Sequence, residues 1–470
     1  MGALRGLFIA LLVSFTGIQD SGLAVRAEAA VDRSRIAGGR LGILIYSTKR
    51  EAPLYEKDAK KVLRLASNTK LFTTACALAK LGADYRFRTT LAWEEGSGDL
   101  HVFGAGDPLI SGRLYNDDPT RLFRDAAARL KEMGRVSFAG DVVVHPGIFD
   151  RVHLHPAWVA ARYDQDAWWC APVGGLSFND NCVDITYAAG DRPGDPVKLT
   201  IRPDTKYVTI VNRAKTVKSD PAPFGFVRKD GTNQIIVNGE LQAGTKPQLA
   251  WVALHDPGRY FGTVLKETLE REGIAVAGSV TESEAMRPEG KSSEFILAEH
   301  TLGDAVASCN TVSQNLHAEM ILKLLGFRFR GAGTTAAGLE VVQDFLRTEV
   351  GVSDVELTDG SGLSRENKAS ADSIVKLLAF MRNHRHGKAF AGSLAVAGAS
   401  GTLKDRMEST GGRIHAKTGS ISGVSCLSGY AETPQGETFI FSILANDWRN
   451  GKPRDLQDAL GELMASWKAP

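Results

Sequence analysis

Apolar residues near the two ends of the chain follow the spacing of strands, and helical spacing follows the last of them. Short apolar or alternating stretches predict five strands: residues 41–47, 53–55, 413–418, 423–431 and 438–445. Apolar residues then recur at helical spacing: Leu456, Leu460, Leu463, Met464 and Trp467. The two ends therefore predict one antiparallel five-stranded sheet covered by helices, which is an α+β domain.

The middle of the chain, from about residue 91 to residue 284, has a different pattern. Alternating stretches bounded by turn residues predict strands at 101–104, 142–145, 183–187, 198–201, 207–211 and 233–237. Long helical periodicity is sparse in this region until residues 260–272. We therefore expect the middle of the chain to be rich in β-structure.

The N-terminus has the pattern of a secretory signal peptide over residues 1–29. Arg5 precedes an apolar stretch at residues 7–13, and residues 27–29 form a small-x-small cleavage site. The alternative is a short membrane anchor, although the apolar stretch is too short to span a bilayer unaided. We therefore expect an exported protein that does not span a membrane.

Length and charge narrow the class of protein further. The chain has 470 residues and a formal net charge of +2, and residues 1–29 carry two positive and two negative side chains, so their removal leaves that charge unchanged. Nucleic-acid binding calls for a clear basic patch, so nucleic acid is not expected as a partner. The remaining residues, about 440, predict two to four domains with an ample core.

Five cysteines are an odd number for an exported protein, so at least one thiol is free or pairs between chains. Cys170 and Cys182 flank a loop-like stretch and are the candidates for a disulfide. Cys76, Cys309 and Cys426 lie in predicted helices or strands. We expect these three to be buried as small apolar side chains.

The first candidate for catalytic chemistry is the motif Ser67-x-x-Lys70. Apolar residues follow it at helical spacing, so both polar side chains are predicted on one face at a helix N-terminus. Lysine can take the serine proton there, and the helix dipole favours negative charge at Ser67. A chance match is the alternative, since Ser373-x-x-Lys376 has the same spacing within an ordinary helix pattern.

The second candidate is Ser313-x-Asn315, directly before a predicted helix at residues 316–325. The alternative is a helix N-cap, where serine and asparagine are both preferred. The same spacing also occurs elsewhere, for example at Ser308 and Asn310. The position of Ser313 at a helix start, in the part of the chain that forms the predicted sheet, favours a functional hydroxyl.

The third candidate is Lys417-Thr418-Gly419, which occurs once. It lies at the end of a predicted strand, and Ser420 begins the turn that follows. Gly419 would let a substrate backbone approach the strand edge, and Thr418 could bind a terminal carboxylate. The alternative is an exposed turn with a solvated lysine.

The three motifs together provide a serine nucleophile, an amine base, a second hydroxyl to relay protons and a cationic strand edge. That set of groups supports acyl transfer through a serine ester. Lys70 and Ser313 are 243 residues apart in the chain. The chemistry requires them to be neighbours, so the middle of the chain is predicted to loop out as an insertion.

The chain resembles the low-molecular-mass class C penicillin-binding proteins of the D-alanyl-D-alanine carboxypeptidase/endopeptidase type, peptidase family S13. Residues 66–75 are similar to the nucleophile segment of that family, and residues 106–108 to its Gly-Asp-Pro signature. The most specific match is Asp-Gly-Ser-Gly-Leu-Ser-Arg at residues 359–365. The resemblance is strong at the ends of the chain and weak between about 110 and 290.

The resemblance implies a β-lactamase/transpeptidase-like catalytic domain with two β-rich inserted domains, one nested in the other. We expect the catalytic domain at residues 30–90 and 291–470, the first insertion at 91–182 and 250–290, and the nested insertion at 183–249. The resemblance also implies a pocket for a side chain of the stem peptide. Asp164, Trp169 and Arg365 would line it, with Asp164 facing an ammonium group.

The resemblance implies hydrolysis of the terminal D-Ala-D-Ala bond of peptidoglycan stem peptides, and also of cross-links between D-Ala and a diamino acid. No metal or organic cofactor is needed, and β-lactam antibiotics are expected as covalent inhibitors. The expected compartment is the bacterial periplasm or the cell-wall space. A β-lactamase or related esterase, and a catalytically silent wall-binding protein, are the alternatives that the motifs leave open.

The motifs also predict a role for each side chain. Neutral Lys70 would take the proton of Ser67, and the like charge of Lys417 is expected to keep Lys70 neutral. Ser313 would pass a proton to the leaving amine. Asn315 would bind the substrate amide and Thr418 its carboxylate. The backbone N–H groups of Ser67 and Ser420 would stabilise the oxyanion.

Overall fold

The structure is a computed structural model that describes residues 21–93, 98–114, 117–285 and 293–468. Its helices are α1 (Ser21–Ser34), α2 (Thr69–Leu81), α3 (Arg121–Glu132), α4 (Pro156–Ala160), α5 (Pro257–Arg271), α6 (Leu302–Thr311), α7 (Asn315–Arg330), α8 (Thr335–Phe345), α9 (Ala371–Asn383), α10 (Gly387–Gly392) and α11 (Pro453–Ala465). Within these described ranges, no helix is both long enough and apolar enough to cross a membrane.

The strands up to the nested part of the middle are β1 (Arg40–Ser47), β2 (Ala52–Lys57), β3 (Leu63–Arg64), β4 (Arg86–Trp93), β5 (Leu100–Phe103), β6 (Ser137–Phe138), β7 (Val142–His145), β8 (Cys182–Ala188), β9 (Lys198–Arg202), β10 (Thr209–Asn212), β11 (Lys215–Val217) and β12 (Gly225–Arg228). The later strands are β13 (Gln234–Asn238), β14 (Glu240–Gln242), β15 (Gln248–Ala253), β16 (Ala275–Val276), β17 (Val280–Glu282), β18 (Ser293–Thr301), β19 (Lys368–Ala369), β20 (Ala395–Val396), β21 (Ile414–Ile421), β22 (Val424–Glu432) and β23 (Thr438–Asn446).

The largest sheet joins the two ends of the chain in the order β2-β1-β23-β22-β21-β20. All of its pairings are antiparallel. The five predicted strands are present, so the α+β fold prediction is confirmed. The two-residue strand β20 adds a sixth edge strand that its short sequence did not reveal.

Helices cover both faces of this sheet, because apolar side chains alternate along its strands between two core clusters. Leu44 packs in the core with α2, α6, α7, α8 and α9. Its neighbours Ile43 and Ile45 pack in the core with α1 and α11 on the opposite face. The helices that carry the candidate motifs therefore lie together on one face of the sheet.

The middle of the chain builds a second five-stranded sheet in the order β17-β7-β5-β4-β18 and several smaller sheets. Most predicted strands of this region are present with ends shifted by a few residues. The expectation of sparse helix was wrong for α3, which buries Phe123, Ala126 and Leu130 against the core shared with α5. Charged residues dominate its exposed face, so α3 has the amphipathic pattern of a surface helix within a region that is otherwise rich in strands.

The N-terminal helix α1 contains the predicted signal-peptide cleavage site, whereas Arg5 and residues 7–13 lie outside the described residues. Leu23 and Ala27 are buried against α11 and the sheet. The Glu28 carboxylate accepts hydrogen bonds from Tyr55 and Lys57. Cleavage after residue 29 would remove these contacts and leave only the last turn of α1.

The structure does not form the Cys170–Cys182 disulfide for which these residues were the candidates. All five cysteines are free and buried. The Sγ atom of Cys182 instead lies 3.4 Å from the carbonyl oxygen of Asp180. Burial of Cys76, Cys309 and Cys426 agrees with their prediction as small apolar side chains.

Candidate active site

Ser67 lies in a single 3-10 turn, Ala66–Asn68, which leads directly into α2. The preceding Ala66 has a positive φ of 46°, a strained conformation for a residue with a Cβ atom. Lys70, in the first turn of α2, places Nζ 3.0 Å from Ser67 Oγ. The predicted nucleophile and base are therefore within hydrogen-bond distance at a helix start.

Lys70 is fully buried, and its amine makes two further hydrogen bonds to oxygen atoms that can only accept. These are Oδ1 of Asn315 at 2.6 Å and the carbonyl oxygen of Ser361 at 2.7 Å. Burial lowers the pKa of Lys70 to about 8. The predicted cause was wrong, because desolvation rather than the charge of Lys417 dominates this shift.

Ser313 and Lys417 form the second hydroxyl–amine pair of the site. Lys417 Nζ donates to Ser313 Oγ at 2.8 Å and to the carbonyl oxygen of Thr418 at 3.1 Å. Burial, and then the nearby charge of Lys70, hold the pKa of Lys417 well below its usual range. Two mutually repelling buried amines therefore favour a site in which at least one amine is neutral.

Ser313 does not cap the helix that follows it, which removes the alternative explanation of its motif. The N-cap residue of α7 is Gln314, and its side chain makes no capping hydrogen bond. Ser313 itself has a positive φ of 66° between α6 and α7. This conformation is uncommon for serine and aims its hydroxyl at Lys417.

Gly419 permits a close approach of its strand to the nucleophile turn. A Cβ atom on Gly419 would lie 2.7 Å from the carbonyl oxygen of Leu65 and 3.1 Å from the backbone nitrogen of Asn68. The Asn68 side chain also donates to the carbonyl oxygen of Lys417 at 3.0 Å. Strand β21 is thereby fixed against the Ser67 turn, which explains the need for glycine.

The hydroxyl groups open into a cavity of about 600 Å³. Eight of the predicted site residues line it: Ser67, Trp169, Ser313, Asn315, Arg365, Thr418, Gly419 and Ser420. Lys70 and Lys417 are buried beneath its surface. A substrate in this cavity would therefore meet the two serine hydroxyls, with both amines behind them and shielded from water.

The predicted side-chain pocket is brought together only in part. Arg365 lines the cavity and its Nη1 donates to the carbonyl oxygen of Ser422 at 2.8 Å. The carbonyl oxygen of Trp169 accepts a hydrogen bond from Asn315 Nδ2 at 2.7 Å. Asp164 is exposed and is not among the residues that line the cavity, whereas its neighbour Tyr163 is. The resemblance placed Asp164 in the pocket by its position in sequence, but its loop turns the side chain to solvent.

Sequence reasoning missed the carboxylate that supports the site from below. Glu319 is 2% exposed, and its carboxylate accepts the backbone N–H groups of Gly360 at 3.1 Å and Ser361 at 2.7 Å. It lies one helical turn after Asn315, on the same face of α7. A charged residue at this spacing within an apolar helix was the available signal.

His153 and His155, two histidines separated by one residue, make local structural contacts. Nδ1 of His153 lies 2.7 Å from the carbonyl oxygen of Val173, and the side chain of His155 caps α4. In the parts of the chain that the structure describes, no group of three or more His, Cys, Asp or Glu residues is arranged to hold a metal ion.

A serine paired with a buried lysine, on a helix packed against an antiparallel sheet, defines a serine acyl-transfer protein of the Ser-x-x-Lys class. Comparison with known families is more specific. The profile of the D-Ala-D-Ala carboxypeptidase 3 (S13) family matches residues 24–467, and the chain belongs to that family. The resemblance found in the sequence is thereby confirmed.

Similar proteins agree with this assignment. The chain is 32% identical over 480 residues to the D-alanyl-D-alanine carboxypeptidase of Actinomadura sp. strain R39, covering 97% of this chain and 87% of that protein. It is 24% identical to D-alanyl-D-alanine carboxypeptidase DacB of Haemophilus influenzae, covering 88% and 87%. The crystal structure of penicillin binding protein 4 from Haemophilus influenzae shares the fold, with a TM-score of 0.77, 21% identity and coverage of 94% and 99%.

Proposed function

We propose that this protein is a serine-type D-Ala-D-Ala carboxypeptidase that acts on peptidoglycan stem peptides through an acyl-enzyme. The observation that carries the proposal is the contact of Lys70 Nζ with Ser67 Oγ at the floor of an open cavity. Membership of the S13 family supports the same reaction. Cleavage of cross-links between D-Ala and a diamino acid requires the same chemistry and is proposed as a second activity.

Acylation begins when neutral Lys70 accepts the proton of Ser67. The Ser67 oxygen then attacks the carbonyl carbon of the penultimate D-Ala, and the backbone N–H groups of Ser67 and Ser420 stabilise the oxyanion. Collapse of the tetrahedral intermediate forms the ester and breaks the C–N bond. Ser313 gives its proton to the leaving amine and recovers one from the Lys417–Lys70 pair, so that the proton taken from Ser67 leaves with D-Ala.

Deacylation reverses the proton path with water in place of the amine. A water molecule loses a proton toward Ser313 or Lys70 and attacks the ester carbonyl. The C–O bond breaks, and Ser67 recovers its proton. The products are the shortened stem peptide and the restored hydroxyl. A β-lactam that acylates Ser67 and hydrolyses slowly would block this cycle.

Substrate selection is proposed to depend on groups at two ends of the cavity. Thr418 binds the terminal carboxylate beside Lys417, and Asn315 binds the peptide amide. Arg365 and Trp169 contact the stem-peptide side chain toward the other end. Asp164, which the structure leaves exposed at this end, would require movement of its loop to face an ammonium group.

The proposed location is the bacterial periplasm or the cell-wall space, where peptidoglycan is found. Support comes from the signal-like pattern at residues 1–29 and from family membership. The predicted cleavage site at residues 27–29 lies within α1. N-terminal sequencing of the secreted protein would locate the cleavage point directly.

The experiment that tests the function is mass spectrometry of products from purified muropeptides. The proposal predicts loss of one D-Ala from pentapeptide muropeptides and conversion of cross-linked dimers to monomers. A protein that binds isolated sacculi without releasing products would instead be a silent wall-binding protein. Rapid penicillin turnover without muropeptide cleavage would indicate a β-lactamase.

A further inference from the structure

The orientation of the Lys70 amine depends on how many hydrogens it carries. A neutral amine has two N–H groups and one lone pair, whereas an ammonium has three N–H groups. Two of the three partners of Lys70, Oδ1 of Asn315 and the carbonyl oxygen of Ser361, can only accept. They take both hydrogens of a neutral amine, which leaves its lone pair for the Ser67 hydroxyl.

The first of these acceptors is fixed by a neighbouring carbonyl group. Asn315 Nδ2 donates to the carbonyl oxygen of Trp169 at 2.7 Å. That contact requires the nitrogen of the amide to point at Trp169 and its oxygen to point at Lys70. The amide therefore presents an acceptor to Lys70 in a fixed orientation.

The second acceptor is fixed by Glu319. Its two carboxylate oxygens accept the N–H groups of Gly360 and Ser361, and the carbonyl oxygen of Ser361 in the same segment accepts a hydrogen bond from Lys70. The carbonyl oxygen of Gly360 accepts the hydroxyl of Thr73 at 2.8 Å, so the same short segment is joined to α2 twice. A carboxylate that accepts two buried N–H groups makes strong, charge-assisted hydrogen bonds.

We propose that Glu319 is a positioning residue for Lys70. Its carboxylate fixes the backbone of Gly360 and Ser361, so that the carbonyl oxygen of Ser361 takes one hydrogen of Lys70 and the lone pair of the amine faces Ser67. Asn315 and Glu319, four residues apart on α7, thus orient the same amine. This role rests on the proposed function, in which Lys70 is the base.

The protonation state of Glu319 changes within the pH range in which the site works. Burial and the nearby Asp359 raise the pKa of Glu319 to about 7. Once protonated, the carboxyl group is neutral and one of its oxygens carries a hydrogen, so that oxygen is a weaker acceptor for the N–H group in front of it. The other charged or titratable groups that interact with this pair include Asp359, Cys309 and Lys417.

The titration of both Glu319 and Lys70 predicts a steep fall in the acylation rate on the acid side of the pH profile, the acid limb. Reaction requires Lys70 without its proton and Glu319 without its proton. Below pH about 7, the unprotonated fraction of each group is inversely proportional to the proton concentration. The logarithm of the rate therefore falls with decreasing pH at a slope that approaches two. Between pH about 7 and 8, Lys70 is the one of these two groups that still titrates, and the slope is near one.

The experiment measures second-order rate constants for acylation by benzylpenicillin between about pH 5.5 and 10. Glu319→Gln keeps the shape of the side chain but places an N–H group opposite one backbone N–H group. We expect its highest rate to fall about tenfold, as for lost supporting partners of catalytic groups. Its acid limb should have a slope of one and a midpoint at lower pH, because the Lys70 ammonium loses a stabilising charge.

Asp180→Asn is the matched control, since Asp180 is a buried carboxylate that contacts His317 of α7 at 3.1 Å without reaching Lys70. It should keep the profile of the unmodified protein. A Glu319→Gln profile that is merely scaled down, with slope and midpoint unchanged, would show a structural role and overturn the proposal.

Two further measurements decide the question if Glu319→Gln does not fold. An unmodified protein with a slope of one at all pH values below 7 contradicts the proposal. Glu319→Asp keeps the charge but is one methylene shorter, so it should lower the rate while retaining the steep limb. A protein that is acylated as described but leaves muropeptides intact would refute the proposed substrate and not the role of Glu319.

Discussion

Lys70 lies in the interior of the protein and makes its hydrogen bonds to neutral groups. Its burial determines the pH at which it can act as a base. An exposed lysine is almost entirely protonated at neutral pH. Burial lowers the pKa of Lys70 from its usual value near 10.5 to about 8. A useful fraction of the amine is therefore neutral at physiological pH without a carboxylate partner.

The acylation rate should rise with pH and become constant above about pH 8. The sign follows from the shift, because the reactive form of Lys70 is the unprotonated one and its share grows as pH passes through the lowered pKa. Stopped-flow acylation with a chromogenic β-lactam measures this dependence. A rate that falls between pH 6 and 8 would mean that Lys70 acts in its protonated form.

Arg365→Ala should weaken turnover of stem-peptide substrates much more than turnover of a small ester. Arg365 lines the cavity but contacts neither Ser67 nor Lys70, so its loss removes binding contacts and leaves the reacting groups in place. We expect kcat/KM for the peptide to fall about tenfold to a hundredfold. Equal losses on the two substrates would assign Arg365 a structural role.

The segment from Asp359 to Asn367 is the element that joins the base, the nucleophile turn and the middle of the chain. Gly362 adopts a positive φ of 85°, and a Cβ atom there would lie 1.8 Å from the carbonyl oxygen of Ala66. The Asp359 carboxylate accepts Trp158 Nε1 at 2.8 Å from the middle of the chain. Several close contacts therefore meet in the segment that carries the most specific match to the family.

Gly362→Ala should displace the nucleophile turn and reduce acylation by at least about a hundredfold, with a loss of stability of about 3 kcal/mol. Gly331→Ala is the control, since Gly331 also has a positive φ, of 70°, but nothing within 4 Å of the added carbon. It should cost about 1 kcal/mol and leave acylation unchanged. Urea unfolding and acylation rates test both variants; similar behaviour of the two would contradict the steric explanation.

The sequence was informative about elements with strong periodicity and about motifs whose residues are adjacent. The five strands of the large sheet and the Ser67-x-x-Lys70 pair are of this kind. The sequence could not reveal β20, whose two residues pair only because β21 lies beside them. Helix α3, by contrast, has apolar residues at helical spacing and a charged opposite face, so its pattern was available in the sequence. The role of Gly419 and the support from Glu319 depend on contacts between distant segments, which no local pattern contains.

At the scale of the whole molecule, separate core clusters support the proposed division into a catalytic domain and insertions. One core lies on each face of the large sheet, and another lies beneath the sheet formed by β4, β5, β7, β17 and β18. Pairing of β18 with β4 along its length indicates that the end of the insertion lies near residue 301 rather than residue 290. We propose this boundary as a revision of the predicted one.

A partly buried ion pair joins the motif-bearing helix α7 to the middle of the chain. Lys323 is 2% exposed and donates to Asp150 Oδ1 at 2.5 Å and to the carbonyl oxygen of Val152 at 2.8 Å. Asp150→Ala leaves a buried ammonium without its carboxylate and should lower the free energy of unfolding by about 3 kcal/mol. Chemical denaturation measures this loss.

Asp125→Ala is the control for that prediction. Asp125 pairs with Arg121 at 2.9 Å on the exposed face of α3, where water screens the charges. It should change the free energy of unfolding by no more than about 0.5 kcal/mol. If the two variants are equally stable, the Lys323 pair does not hold α7 against the insertion.

The acyl-enzyme on Ser67 is the claim on which the proposed mechanism depends, and it can be observed directly. Intact-protein mass spectrometry after incubation with benzylpenicillin should show one added penicilloyl group per chain, and peptide mapping should place it on Ser67. Ser67→Ala should show no adduct. An adduct on another residue, such as Ser313, or an adduct that persists in Ser67→Ala, would contradict the account.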